Sequence, residues 1–149
     1  MLGRSVSVAD RGSAAVEFIV MGVGLLVPAM YLGLAAASVQ SGVYASTQSV
    51  REAARAFVTA GSPAEGFARA TTAAQLAFDD HGIDLPPKAL TITCSSLPCL
   101  SPGSTVDVRV QWEAPLPWLP EAWVGAVPTL IPITAEHRMP VDAYRGDQA

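Results

Sequence analysis

The sequence predicts an α+β chain, in which a long N-terminal transmembrane helix continues into a small ectodomain with a second helix and a roughly three-stranded antiparallel sheet. Three observations carry this prediction. Phe18 to Val39 is a run of 22 residues without a charge. From there the apolar spacing stays helical to about residue 80. Beyond Pro86-Pro87 it changes to alternation, the period of a half-buried strand.

At about 1.5 Å rise per residue the uncharged run extends roughly 33 Å, enough to cross a hydrocarbon core of about 30 Å. The chain has 149 residues. The roughly 110 that follow the span suffice for one small domain with a modest core. Half of the residues are hydrophobic, but much of that excess lies in the span and in alanine. The net charge of −4 leaves no basic footprint for nucleic acid and no polybasic cluster for anionic lipid.

The elements follow in order. Residues 1–12 are polar, lack periodicity and read as a leader carrying Arg4, Asp10 and Arg11. The transmembrane helix occupies residues 13–40. Its Gly22, Gly24, Pro28 and Gly33 are tolerated in membrane helices, and Pro28 is expected to bend or loosen it. Gly22, Ala29 and Gly33 fall near one helical face and would let another helix approach closely. Arg4 and Arg11 precede the span, and the next basic residue is Arg51. This asymmetry puts the N-terminus in the cytoplasm and residues 41–140 outside.

No breaker follows Val39, and Val43, Val50, Ala54, Phe57 and Val58 continue at helical spacing to about Ala60. Gly61 stops the helix. Ser62-Pro63-Ala64-Glu65 reads as a capping box with proline at the first helical position, opening a second helix to about Asp80. Phe67, Ala70, Ala74, Ala77 and Phe78 form its expected buried stripe, and Gly82 ends it. Leu90, Ile92 and Cys94 share one face of a first strand. Val106, Val108, Val110 and Trp112 alternate with Asp107, Arg109 and Gln111 in a second. A third runs roughly from Ile131 to Met139, and residues 141–149 read as a flexible tail. Cys94 and Cys99, separated by a tight turn, suggest a disulfide in an oxidising compartment, the alternative being a pair of buried thiols.

The proline-rich segment Ala114 to Pro132 is too broken for a regular element. Its Trp118 and Trp123 either form a contact surface for a partner or the membrane interface, or fold over the sheet edge within a long loop. The second reading is preferred. Asp79-Asp80-His81 with Asp84 is the one cluster that could hold a cation, though a solvated helix end explains it more simply. His137 reads as an ordinary half-exposed strand residue. No phosphate-binding glycine loop, metalloprotease motif or nucleophile elbow occurs. Neither an enzymatic activity nor a cofactor or metal is expected.

The stretch Gly12-Ser13-Ala14-Ala15-Val16-Glu17-Phe18 places one carboxylate at the mouth of the span. A carboxylate there is costly unless it stays in the headgroups or finds a cation. Three fates of the N-terminus compete: a secretory signal cut after Ala37, a cut after Gly12 on the cytoplasmic side, or an uncut signal anchor. Gly12, Glu17, Phe18 and the apolar run resemble the class III signal of type IV pilin-like proteins. In that class a prepilin peptidase cuts after glycine and leaves glutamate at the fifth mature position.

Arg11 to Phe18 is most similar to the TadE-like proteins of Tad/Flp pilus systems. The resemblance covers about residues 11–55. It implies a minor pilin or pseudopilin whose partners are a prepilin peptidase, other pilins, membrane lipid and the inner-membrane assembly platform. It also implies that Glu17 and Phe18 serve assembly and that Gly12 and Ser13 flank the processing site. From Ser62 onward no sequence-specific resemblance is recognised. A signal-anchored or secreted extracytoplasmic binding domain is the alternative.

Overall fold

The computed structural model describes residues 9–117, 125, 129–144 and 146, with side chains from Ala14 onward. The order is α1 (Ala9–Val58), α2 (Pro63–Asp79), β1 (Leu90–Cys94), β2 (Thr105–Pro115) and β3 (Leu130–Pro140). The fold is the expected α+β class. Trp118 and Trp123 lie outside the described residues.

The chain divides into two compact units, Met1–Ala36 and Ala37–Ala149. In the first, the described backbone is helical from Ala9, so helix already covers Arg11 and Gly12 ahead of the expected start at Ser13. The helix continues through Pro28. Its large aliphatic side chains and Phe18, from Val16 to Leu34, are exposed, while Pro28 and Tyr31 are partly covered. A helix apolar all round is stable only in lipid or under other protein. This one is long and apolar enough to cross a membrane.

In the second unit the remainder of α1 buries Ala45, Ser46, Ser49, Val50, Ala53, Ala54 and Phe57. The expected stripe holds at Val50, Ala54 and Phe57 but not at Val43, which is 44% exposed. The buried face is displaced towards small residues, because small side chains let the helix come close to a large ring on the sheet. At the helix end, Thr59 N–H donates to Arg55 O and Ala60 N–H to Phe57 O.

Ser62 caps α2 as expected: its hydroxyl accepts from Glu65 N–H at 3.3 Å. The returning bond differs by one residue, since Glu65 Oε2 accepts from Gly61 N–H at 2.8 Å. Both bonds satisfy donors that a helix start leaves open. Ala70, Ala74, Ala77 and Phe78 are buried as the periodicity predicts. Phe67 departs from the expected stripe: it is 43% exposed, and Gly66 takes the inward position instead. The reason is local packing, because Phe57 fills the space over Gly66 and Phe67 meets the edge of that ring from outside.

The sheet is antiparallel in the order β1-β2-β3. Register places Leu90, Ile92 and Cys94 opposite Val110, Val108 and Val106, so both apolar sets form one inner face. On β2 and β3 that face continues through Trp112 opposite Ile133 and Ala114 opposite Ile131. Cys94 and Cys99 are disulfide-bonded across the turn that closes the β1 end. Val141, expected to begin the tail, is buried, and its N–H donates to Ser104 O at 2.8 Å. The ladder therefore reaches one residue past β3.

Candidate functional site

The boundary motif sits on regular helix. Glu17 and Phe18 are exposed, Phe18 at 79%, and Ser13 precedes Glu17 by four residues on continuous α1. That spacing sets two positions one above the other on the helix surface. A β-carbon added at Gly22 or Gly33 would meet no atom within 4 Å, and Ala29 is exposed, so in the single chain the small-residue face is open. Nothing in the first unit covers the carboxylate or the stripe among the described residues.

In the second unit the helix meets the sheet at a joint that periodicity alone did not reveal. Trp112 Nε1 donates to Ser46 Oγ at 2.8 Å, and Ser46 Oγ donates to Gly42 O at 2.8 Å. Ser49 Oγ donates to Ser46 O at 2.9 Å. The two serines are fully buried, and these bonds satisfy the hydroxyls, as burial requires. A β-carbon at Gly42 would lie 3.0 Å from both Ile133 Cδ1 and Trp112 Cζ2. Phe78 closes the other side of the indole, edge-on at 5.4 Å between ring centroids. The visible sequence signal is the spacing Gly42, Ser46, Ser49, small residues recurring every three or four positions.

The outer face of the sheet is polar and organised by charge. Arg138 Nε donates to Asp107 Oδ1 at 2.6 Å, and Arg109 pairs with Glu136 at 2.6 Å. Each pair joins residues directly opposite in the β2–β3 register. The hydrogen bond from Arg138 to Asp107, and then the charge of that carboxylate, holds the guanidinium pKa above its ordinary value. All four side chains are substantially exposed, so the pairs orient one another more than they stabilise the fold. His137 is half-buried as expected, but it lies on the inner face, opposite Val108.

Asp79, Asp80, His81 and Asp84 do not converge. Among the described residues no group of three His, Cys, Asp or Glu side chains could hold a metal ion. His81 Nδ1 lies 3.4 Å from Ser41 Oγ instead, tying the end of α2 to α1.

No protein-family model, curated protein or solved structure matches the chain.

Proposed function

We propose that the chain is a TadE-like minor pilin or pseudopilin of a Tad/Flp-type pilus or a related secretion filament. It is matured after Gly12 and assembled through its N-terminal helix. The observation that carries this reading is the register of Gly12, Glu17 and Phe18 at the mouth of an uncharged apolar helix. The N-terminus lies in the cytoplasm and the folded unit outside. A prepilin peptidase, other pilins, membrane lipid and the inner-membrane assembly platform are its partners, and chemistry is done to the chain rather than by it.

The physical logic rests on what the cut creates. Cleavage after Gly12 leaves a free amine on Ser13, one helical turn from Glu17. The helix start itself favours a carboxylate, because its dipole is positive there. In an isolated subunit Glu17 can remain among headgroups. When subunits stack axially it enters a neighbour's apolar helix, where an unpaired charge is costly. A Ser13 amine supplied by the adjacent chain then offsets the desolvation and sets the axial register. Access for the peptidase is favourable too. Gly12 lies on α1 and, having no side chain, weakens helix locally.

Glu17→Ala separates this role from a role in folding. The variant should insert in the membrane and form the Cys94–Cys99 disulfide like the parent, while incorporation into filaments falls to background. Filament fractions probed for the chain give the answer. Normal incorporation of the variant would refute the assembly role of Glu17.

A further inference from the structure

The outer edge of β3 is the longest unpaired backbone edge among the described residues, and its chemistry specifies what pairs with it. Leu116 N–H donates to Thr129 O, and Val141 N–H donates to Ser104 O. Odd-numbered positions of β3 therefore turn their backbone groups towards β2, and even-numbered positions turn theirs outward. Pro132 and Pro140 occupy outward positions and offer no N–H. Between them Thr134, Glu136 and Arg138 present both N–H and C=O. A row of unpaired N–H and C=O groups is a template for pairing with another chain, and the two prolines confine it to this segment.

We propose that a second copy of this chain pairs there, β3 against β3 in antiparallel orientation, joining two three-stranded sheets into one. The two-fold axis passes through His137. Glu136 then stands opposite the second copy's Arg138, and Arg138 opposite the second copy's Glu136. Because Asp107 already pairs with Arg138 and Arg109 with Glu136, the solvent face acquires rows of alternating sign. One row runs Asp107, Arg138, then the second copy's Glu136 and Arg109. Opposite charges directly across a ladder stabilise a sheet and like charges destabilise it.

The same residues reject other registers. A slip of one pair in either direction brings Glu136 against Glu136 or Arg138 against Arg138. On the inner face the proposed register sets Ala135 beside the second copy's Met139, and both are only partly buried within one subunit. The other free edge, β1, is short and carries neutral Thr91 and Thr93 on the solvent face. It offers no opposite charge to Glu136 or Arg138, so β3 selects its own copy. The association does not depend on processing at Gly12, and the uncut chain dimerises as well.

The test is cysteine cross-linking of the full-length chain in cell membranes under mild oxidation. At a non-hydrogen-bonded antiparallel site the Cα atoms are about 4.5 Å apart, within disulfide range. His137→Cys should therefore give a reducible dimer, while Glu136→Cys, Arg138→Cys and Thr93→Cys stay largely monomeric. Adding Glu136→Pro to His137→Cys should lower the dimer by about tenfold or more, since the outward N–H serves no bond inside the subunit. Cross-linking at 136 or 138 as strong as at 137 would overturn the register, and cross-linking at Thr93→Cys would move the contact to β1. A His137→Cys chain that forms Cys94–Cys99 yet stays monomeric, or a dimer indifferent to Glu136→Pro, would overturn the proposal.

Discussion

Trp112→Ala is expected to destabilise the ectodomain by about 3–5 kcal/mol, the cost of deleting a large buried aromatic. A domain of this size has about 5–15 kcal/mol in all, so the variant loses a large share of its stability. The ring is 9% exposed and sits where three elements meet: α1 through Gly42 and Ser46, α2 through Phe78, and β3 through Ile133. Its removal empties that junction, and Gly42 offers no side chain to refill it. Trp112→Phe separates packing from polarity. It keeps much of the ring but leaves Ser46 Oγ without its donor, a loss of about 1 kcal/mol. Thermal unfolding of the full-length protein in detergent, followed by circular dichroism, should show the phenylalanine variant melting about 4–8 °C lower than the parent and the alanine variant far lower. Equal losses would mean that the hydrogen bond, not the packing, holds the joint.

Phe57→Ala is expected to cost a similar 3–5 kcal/mol. Phe57 is fully buried, faces Gly66 across the α1–α2 contact and meets Phe67 edge-on at 5.0 Å. A β-carbon at Gly66 would fall 3.1 Å from the Phe57 ring. Gly66→Leu should therefore also destabilise, by about 1–3 kcal/mol through overpacking. The two changes share one volume, so the double variant should be more stable than the sum of the single losses implies. Denaturant titration of the four proteins measures that coupling. Strict additivity would show that the two positions do not compete for space.

Much of the fold was legible because local physics is written in short stretches. The run from Phe18 to Val39 lacks charge, Ser62 and Glu65 stand three apart around Pro63, and Val106 to Trp112 alternate with polar residues. Each pattern has one favourable structural solution. What stayed hidden depends on contacts between elements. Val43 looks more apolar than Gly42, yet Gly42 faces the sheet, because the deciding quantity is the space Trp112 needs. Phe67 looks like core and Gly66 does not, yet Phe57 from another helix takes the interior. The ion pairs Asp107–Arg138 and Arg109–Glu136 join residues about thirty positions apart, and a register is needed before they can be seen. The boundary motif was the reverse case. It was readable in the sequence, while the single chain offers Glu17 and the Gly22–Gly33 face no neighbour among the described residues.

That contrast is what the proposed assembly role explains: an exposed carboxylate and, elsewhere round the same helix, an open small-residue face await other subunits. The most direct test is the N-terminus of the membrane-bound chain, read by mass spectrometry with and without an active prepilin peptidase. Ser13 is the expected first residue when the peptidase is present, and leader residues should precede it when the peptidase is absent. An intact Met1 beside an active peptidase, or a chain beginning at Ser38, would contradict it.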